Sequence, residues 1–480
     1  MTQPVAPIRF GTDGWRAIIA DAFTFVNLER VTQAYCDYLR STSSTAGSND
    51  SAYPLVVVGY DHRFLSKKFA ERSAEVLVGN GVNVALFEEA VPTPLVSWAV
   101  RENSAEGGVV ITASHNPPDF NGFKIKAPWG GSASPEITAG VEALLDTSPV
   151  KRSSSTVETG GELLASATES YRRQINSYID LDRLKNSGSK VIVDSMHGSG
   201  GRWVESFLKG GNIFAETIRG ERDPLFGGVS PEPIDRNLSP LKNKVKEIGA
   251  LVGLATDGDA DRLGAVNELG STMTMHEVVP LLLLHLARVR GMTGGVVRTF
   301  SQSILTKRIA AAHNLPLYDT PIGFKYIADL MLSTDILIGA EESGGIGVKG
   351  HIPERDGILN CLLFLETVLD SGKTPSELVR DMHREFGEFY FDRRDVRCEV
   401  QRGKEFVQSL GQAPLESVAG YEVSAVETLD GTKLILYDES WLLFRQSGTE
   451  PVLRIYSEAT SQEKVKSLLD AGSIMATKLD

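Results

Sequence analysis

Short apolar runs rich in β-branched residues recur along the chain and alternate with longer amphipathic segments. Four of these runs predict buried strands, at 55–59, 108–112, 190–194 and 251–255. A strand that is apolar on both faces needs a covering layer on each side, and the intervening segments have helical periodicity. The pattern therefore predicts α/β domains in which helices cover the sheets, with functional loops at the strand ends.

The pattern changes from about Phe386 onward. Three closely spaced strands are predicted there, at 433–437, 441–444 and 452–457. Asp430 and Gly431, which are typical turn residues, precede the first of them. A helix from about Ser461 closes the chain. This part is predicted to be a small α+β domain with an antiparallel sheet.

Length and composition are those of a folded protein with several domains. The chain has 480 residues, of which 41% are hydrophobic and 23% charged, and this is too long for one hydrophobic core. Two segments rich in Ser, Thr and Gly interrupt the pattern. We interpret 41–51 as a surface loop and 152–161 as a linker after a first domain.

Charge and cysteine content exclude several classes of function. The formal net charge of −13 argues against a broad surface for nucleic acid or anionic membrane. Cys36, Cys361 and Cys398 lie too far apart for a disulfide framework or a zinc pattern. The N-terminus lacks a secretory signal, and the most apolar stretch, 278–289, is too short to span a bilayer and predicts a buried helix. We expect a cytoplasmic protein with reduced thiols.

A loop of small polar residues, TASHNPP at 112–118, follows the apolar strand at 109–111 and can present the Ser114 hydroxyl in a fixed direction. A hydrolase triad is one alternative, but G-x-S-x-G is absent and His115 is too close in sequence to act as the hydrogen-bonded base. A loop that is merely capped by Ser and Asn is the other alternative.

Three aspartates at alternate positions, Asp257, Asp259 and Asp261, directly follow the apolar run at 251–255. Like charges this close need a cation between them, and a hard divalent metal such as Mg²⁺ is the natural partner. An EF-hand also begins with this spacing, but its sixth position would be Arg262 where that loop needs Gly, and a strand precedes the loop. A solvated acidic turn remains the simpler alternative.

Two further loops carry groups suited to sugar and phosphate binding. RQSGTEP at 445–451 lies between two predicted strands and combines a guanidinium, hydroxyls and a glycine, which is the chemistry of a phosphate site. GAEESGG at 339–345 follows an apolar strand and offers acceptors for sugar hydroxyls. A hairpin turn and a capping turn would also explain these two loops.

Together and in this order, the loops resemble those of the α-D-phosphohexomutase family, the phosphoglucomutases and phosphomannomutases. The resemblance includes FGTDGWR at 10–16, NGFK at 121–124, DSMHG at 194–198 and GFK at 323–325. It implies three related α/β domains with mixed sheets and a C-terminal α+β domain, all four around a central cleft. The implied domains carry the serine loop (1–160), the metal loop (161–270), the sugar loop (271–383) and the phosphate-binding loop (384–480).

The resemblance also implies a role for each site residue. Ser114 would be the phosphoserine, and its phosphate oxygen would join Asp257, Asp259 and Asp261 around Mg²⁺. Lys124 and Arg16 would handle the hydroxyl proton and the transferring charge, and we expect a cationic pocket that lowers the pKa of Lys124. The remaining candidates would support the loop or bind substrate: His115, Arg262, Lys325, Glu341, Ser343, Arg445, Ser447, Gly448 and Thr449.

The implied activity is exchange of a phosphoryl group between C1 and C6 of a hexose through a hexose 1,6-bisphosphate, with glucose 1,6-bisphosphate as intermediate and activator. Gly345 stands where phosphomannomutase-like relatives often have His, so glucose is favoured over mannose. The alternatives are a glucose-1,6-bisphosphate synthase, a phosphomannomutase, a metal-dependent phosphatase or a non-catalytic phosphosugar-binding protein. The expected partner is a small phosphosugar, without nucleic acid or membrane, for a monomer or homodimer.

Overall fold

The computed structural model describes residues 8–11, 13–42, 54–154, 157, 159–413, 415–447 and 451–477. The chain forms two compact units. The first unit contains the chain up to Met273 together with 331–333 and 344–375. The second contains 274–330, 334–343 and the chain from Ser376 onward.

The first unit begins with a mixed sheet of order β1-β5-β4-β2-β3, in which β3, β2 and β4 are parallel and β5 and β1 are antiparallel. The valines of β2 and β4 are fully buried, as expected for apolar runs inside a sheet covered on both faces. In chain order the elements are β1 (Trp15–Ile18), α1 (Phe25–Thr42), β2 (Leu55–Tyr60), α2 (Ser66–Gly79), β3 (Asn83–Leu86), α3 (Thr93–Glu102), β4 (Gly107–Ile111), β5 (Phe120–Lys126) and α4 (Pro135–Ala143).

The second sheet repeats this topology, with the order β10-β9-β8-β6-β7. Strands β7, β6 and β8 are parallel, and β9 and β10 are antiparallel. Its elements are α5 (Gly161–Tyr178), α6 (Leu181–Lys185), β6 (Lys190–Asp194), α7 (Trp203–Leu208), β7 (Phe214–Ile218), α8 (Ser239–Ile248), β8 (Val252–Thr256), β9 (Leu263–Asn267) and β10 (Thr272–Met273).

The second unit begins with a third set of parallel strands in the order β12-β11-β13. These three strands have the same arrangement as β3-β2-β4 and β7-β6-β8, so the three α/β regions are related in topology. The elements are α9 (Met275–Leu284), a π-helical turn (His285–Val289), β11 (Gly295–Thr299), α10 (Ile304–Ala312), β12 (Leu317–Thr320), α11 (Phe324–Ser333) and β13 (Ile336–Ala340). Next in the chain, β14 (Ile346–Val348) and α12 (Gly357–Ser371) belong to the first unit.

The C-terminal part is an antiparallel sheet of order β15-β20-β19-β18-β17-β16 with helices α14 and α15. Leu442, Phe444, Ile455 and Leu468 lie in its buried core. The elements are α13 (Pro375–Phe386), β15 (Tyr390–Arg397), α14 (Val400–Gln412), β16 (Ser417–Val418), β17 (Tyr421–Glu427), β18 (Thr432–Leu436), β19 (Trp441–Gln446), β20 (Val452–Ala459) and α15 (Gln462–Thr477).

These elements confirm the predicted class: three related α/β regions followed by an α+β tail. The helix expected at 278–289 is present and largely buried. The loop expected at 41–51 is wrong at its start, because α1 continues to Thr42, and 43–51 lie outside the described residues. Of 152–161, the described residues up to 154 are not in a regular element, whereas α5 already begins at Gly161. The four domain boundaries and the shared cleft stay predictions.

Candidate active site

The predicted nucleophile lies on a tight loop directly after β4. Ser114 is buried and has a φ of 51°, a left-handed conformation that is uncommon for a residue other than glycine. Its backbone N–H donates to Thr112 Oγ1 at 2.8 Å, and its Oγ donates to Asp257 Oδ2 at 2.7 Å. The loop thus directs the hydroxyl at the first residue of the aspartate loop.

The aspartate loop begins where β8 ends. A strand therefore precedes the loop, as predicted, and not the helix that an EF-hand needs. Asp257 Oδ1 accepts hydrogen bonds from the backbone N–H groups of Asp261 and Arg262, at 3.0 and 3.2 Å. At Gly258, a Cβ would lie only 2.4 Å from the Ser114 carbonyl oxygen. Glycine is therefore required for the two loops to approach each other.

The three aspartates have the donor set of a cation site. Their side chains are fully buried, and one carboxylate oxygen from each lies within 4.8 Å of the others. Burial, followed by the charges of Asp261 and Asp259, raises the pKa of Asp257 well above its usual value. Asp259 Oδ1 and Asp261 Oδ1 are buried and accept no hydrogen bond from the described residues. Unused carboxylate oxygens beside one another suit a hard divalent cation such as Mg²⁺.

Lys124 lies on β5 and is fully buried against three carboxylates. Its Nζ is 2.7 Å from Asp259 Oδ2, 2.8 Å from Asp13 Oδ2 and 3.1 Å from Asp261 Oδ2. Burial alone would lower the pKa of Lys124, but these carboxylates outweigh it and raise the pKa. The expected lowered pKa is therefore wrong, because the surroundings are anionic and the side chain is held as an ammonium.

Two residues of this cluster, Asp13 and Arg355, were not among the predicted site residues. Arg355 Nη2 lies 2.9 Å from Asp261 Oδ2 and also contacts Asp13 Oδ2. Lys124 and Arg355 hold the pKa of the buried Asp13 carboxyl well below its usual value, although burial opposes this. The neighbouring Asp356 caps the N-terminus of α12 through the N–H groups of Ile358 and Leu359, but this local pattern does not indicate the contacts of Arg355.

The structure brings three further predicted residues to the same place. Arg16 Nη1 donates to Asn116 Oδ1 of the serine loop at 2.7 Å. His115 Nδ1 is 3.5 Å from Ser114 Oγ, a long contact for a catalytic base. Arg262 Nε lies 3.8 Å from Asp261 Oδ1. Ser114, the aspartates, Lys124 and these side chains therefore form one cluster inside the first unit.

The candidate sugar-binding residues lie in the second unit. Glu341 is buried directly after β13, and Ser343 follows on the same loop. The neighbouring Glu342 carboxylate is 3.5 Å from the Arg393 guanidinium. Lys325 is in the first turn of α11, where its ammonium lies 5.1 Å from the centre of the Tyr326 ring.

The candidate phosphate-binding residues lie at the end of β19, also in the second unit. Arg445 Nε is 2.8 Å from Asp430 Oδ2, and both line a cavity of about 460 Å³ that also includes Lys404. Ser447 is buried, and its backbone N–H donates to the Val452 carbonyl at 2.9 Å. Gly448 and Thr449 lie outside the described residues.

Models of known families match most of the chain in four consecutive segments. They are described as phosphoglucomutase/phosphomannomutase domain I at residues 7–151, domain II at 169–270, domain III at 275–386 and the C-terminal domain at 396–471. No helix of the described residues is both long and apolar enough to cross a membrane.

Individual relatives match over nearly the whole length. A phosphoglucomutase/phosphomannomutase of Thermococcus kodakarensis is 31% identical, over 96% of this chain and 97% of the relative. A phosphoglucosamine/phosphogalactosamine mutase of Sulfurisphaera tokodaii is 29% identical, over 96% and 97% of the two chains. A solved structure of a phosphomannomutase, described as putative, from Thermus thermophilus is 36% identical, with a TM-score of 0.86 and coverage of 99% of this chain and 100% of that one.

Four matched domains, near-complete alignment with relatives and a serine beside a buried aspartate trio agree with one another. The chain belongs to the phosphoglucomutase/phosphomannomutase family and is an enzyme of the phosphohexomutase class.

Proposed function

We propose that this protein interconverts hexose 1-phosphate and hexose 6-phosphate through a phosphoryl group carried on Ser114. The observation that carries the proposal is the 2.7 Å hydrogen bond from Ser114 Oγ to Asp257, within a cluster that also holds Lys124 and two further aspartates. A phosphoryl group on Ser114 would lie beside the cation site and the ammonium, where its negative charge is neutralised.

Each step of the proposed transfer exchanges one O–P bond for another. The bond between Ser114 Oγ and phosphorus breaks as a hydroxyl oxygen of the hexose monophosphate forms its own bond to phosphorus, and the hydroxyl releases its proton. We assign proton transfer to Lys124, which can donate to Ser114 Oγ and accept the proton of the attacking hydroxyl, so that its own charge is restored. The reverse exchange at the other end of the sugar returns a phosphoryl group to Ser114.

The cation site contributes to charge neutralisation. Asp257, Asp259, Asp261 and the oxygen on Ser114 would hold Mg²⁺, which when bound supplies positive charge to the transferring phosphoryl oxygens. Arg262 and Arg16 add guanidinium donors near the same oxygens. His115 supports the loop or contacts the phosphate.

Recognition of the sugar and of the non-reacting phosphate is proposed for residues of the second unit. Glu341 and Ser343 would bind sugar hydroxyls, with Lys325 as an additional contact. Arg445, Ser447, Gly448 and Thr449 would bind the phosphate that is not being transferred. A hexose 1,6-bisphosphate would then reorient between the two half-reactions, so glucose 1,6-bisphosphate should act as an activator.

Glucose phosphate is our first choice of substrate, because Glu341, Glu342 and Ser343 resemble the loop of phosphoglucomutases and Gly345 stands where phosphomannomutase-like relatives often have His. Glucosamine phosphate is the second candidate, because the Sulfurisphaera tokodaii relative bears the name of a phosphoglucosamine/phosphogalactosamine mutase. A coupled assay over glucose, mannose and glucosamine phosphates would distinguish them through the ratios of kcat/KM.

The experiment that tests the chemistry compares Ser114→Ala with Ser177→Ala, which alters an exposed serine near the end of α5. Intact-protein mass spectrometry should find a phosphoryl group on the wild type and on Ser177→Ala, and on incubation with hexose phosphate an isotopic label on this group should pass into the sugar phosphates. Ser114→Ala should carry none and should lose isomerase activity by at least about a thousandfold. Full activity in Ser114→Ala would refute the proposal, and steady release of bisphosphate without isomer would favour a bisphosphate synthase.

A further inference from the structure

Arg63, three residues beyond the end of β2, has its side chain fully buried beneath the serine loop. Its Nη2 donates to the carbonyl oxygens of Ser114 and Asn116, at 2.5 and 2.6 Å. Its Nη1 donates to those of Pro117 and Phe120, at 2.7 and 3.1 Å. One guanidinium therefore binds four backbone acceptors of the segment that carries the nucleophile.

The same guanidinium is fixed from behind by a buried carboxylate. Arg63 Nε lies 3.2 Å from Asp61 Oδ2, and Asp61 Oδ1 accepts hydrogen bonds from Ser66 Oγ at 2.8 Å and from the Arg63 N–H at 3.0 Å. The ring of Phe226, whose centre is 4.9 Å from the guanidinium carbon, covers it. Because the Arg63 guanidinium is held on several sides, its orientation is set before any ligand binds.

These contacts close a ring around the backbone of Ser114. On one side Arg63 donates to the Ser114 carbonyl oxygen at 2.5 Å. On the other side the Ser114 N–H donates to Thr112 Oγ1, which itself donates to Asp61 Oδ2 at 2.6 Å. Both peptide groups that flank Ser114 are thus tied to the same ion pair.

Ser114 needs such a restraint because its backbone is in a strained conformation. A φ of 51° is unfavourable at a residue other than glycine and persists only where surrounding contacts enforce it. Without the Arg63 guanidinium, the four carbonyl oxygens that it binds would also lose this hydrogen-bond donor. Relaxation of the loop would turn Ser114 Oγ away from Asp257.

We propose that Arg63, through Asp61 and Thr112, is a positioning residue that holds Ser114 in the geometry for phosphoryl transfer. The inference rests on the proposed function of Ser114, because it assigns Arg63 a role in that reaction and not in sugar recognition. Arg63 donates to backbone oxygens of the loop, so its action is expected in kcat and not in KM.

The test uses the variant Arg63→Lys, which removes the guanidinium group and keeps the positive charge. A displacement of about 1 Å at a reacting group can reduce the rate about a hundredfold. We expect kcat and the single-turnover loss of phosphate from Ser114 to fall about a hundredfold, with KM changed less than about threefold. The control is Arg308→Lys in the second unit, where the arginine also bridges a backbone carbonyl, that of Phe386, and a carboxylate, that of Glu439. It should lose stability without loss of kcat.

A second readout does not depend on catalysis. Hydrogen exchange measured by mass spectrometry should become faster in the peptide spanning 112–120 of Arg63→Lys, with little change in peptides of the second sheet. If Arg63→Lys does not fold, Thr112→Val, which removes the hydroxyl between Asp61 and Ser114, should give the same exchange pattern and a similar loss of kcat, whereas Thr112→Ser should restore both.

The outcomes separate the two proposals. Unchanged kcat, or unchanged exchange at 112–120, in a folded Arg63→Lys protein overturns the role of Arg63. A wild-type protein that never transfers phosphate from Ser114 contradicts the proposed function instead, and the exchange measurement still decides whether Arg63 holds the loop.

Discussion

Both units bury charged side chains, but they do so in different ways. In the first unit, Asp13, Asp259 and Asp261 surround the cations Lys124 and Arg355 at hydrogen-bonding distance. In the second, Glu458 is surrounded mainly by neutral donors: its oxygens accept from Ser303 Oγ at 2.5 Å, the Ile304 N–H at 2.8 Å and Trp441 Nε1 at 2.9 Å. The same unit packs the Lys433 ammonium 4.3 and 4.6 Å from the ring centres of Phe300 and Trp441.

The two units differ in whether their buried carboxylates keep oxygens that accept no hydrogen bond. Each carboxylate oxygen of Glu458 accepts at least one hydrogen bond, from Ser303 Oγ on one oxygen and from the Ile304 N–H on the other. Asp259 and Asp261 each keep one buried oxygen that accepts no hydrogen bond within the described part of the chain. Because an unsatisfied buried acceptor is costly, such oxygens mark a place where a ligand completes the structure. In this comparison the feature that distinguishes the first unit is two neighbouring aspartates with unused oxygens, and not the burial of charge alone.

The largest expected effect comes from removing the central cation of the first unit in Lys124→Met. It leaves buried carboxylates without their partner, so the free energy of unfolding should fall by about 3–5 kcal/mol. The transfer rate should fall about a thousandfold, as expected when a charge that stabilises the transition state is lost. Steady-state kinetics and denaturant unfolding measure the two effects.

Lys126→Met is the matched control for that variant. Lys126 is equally buried and pairs with Glu354 at 2.6 Å, but among the described residues no ion pair joins it to the aspartate trio. We expect a similar loss of stability and a much smaller loss of rate. An equal loss of rate in the two variants would show that burial of charge, and not its position beside the aspartates, controls activity.

The next largest effect is expected in the second unit, for Glu458→Gln. The substitution replaces one acceptor oxygen by an NH2 group, which is a donor and faces groups that are also donors. The free energy of unfolding should therefore fall by about 2–3 kcal/mol. Chemical denaturation measures this change, and Glu463→Gln on the exposed face of α15 should alter stability by less than about 0.5 kcal/mol. If folded Glu458→Gln loses activity more than about tenfold, the purely structural interpretation of Glu458 is wrong.

A smaller effect is expected for Arg445→Ala, because this side chain is half-buried and pairs with Asp430 at 2.8 Å. Loss of a charged hydrogen bond to the substrate phosphate costs about 2 kcal/mol, so KM should rise tenfold to a hundredfold with a smaller change in kcat. Arg397→Ala, which alters an exposed arginine of β15, should change KM less than about twofold. Equal KM values for the two variants would remove Arg445 from the phosphate site.

The sequence was sufficient for the fold class because the relevant signals are local. The apolar runs that predicted β2, β4, β6 and β8 are fixed by burial on both faces of a sheet, and each observed strand differs from its predicted bounds by one residue at most at either end. The end of α1 was misjudged because Ser41 and Thr42 have weak helix propensity, yet their hydroxyls bond to the Tyr38 carbonyl within the helix.

The site could be predicted only where its residues are close in sequence. Asp257, Asp259 and Asp261 share one turn, so their spacing alone indicated a cation site. Arg355 contacts Asp13 across 342 positions of sequence, and no local pattern records such a contact. The pKa of Lys124 was predicted in the wrong direction for the same reason, because its three carboxylate partners come from other segments.

The smallest expected effect is a pH dependence of stability that originates at Lys433. Burial, then the charge of Arg298, lowers the pKa of Lys433 from 10.5 to about 8, whereas the neighbouring aromatic rings favour the charged form. Between pH 8 and 10.5 the unfolded chain binds a proton that the folded chain has released, so stability should rise with pH in this window and not below it. A shift of this size corresponds to about 3 kcal/mol, at about 1.4 kcal/mol per pKa unit. Because the rings offset part of the shift, we expect the wild type to gain about 1–2 kcal/mol across the window relative to Lys433→Met, measured by urea unfolding at several pH values. Lys404→Met, at an exposed position of α14, should show no such difference. If the difference in the free energy of unfolding between wild type and Lys433→Met does not change with pH, the rings of Phe300 and Trp441 fully offset the effect of burial on the pKa of Lys433.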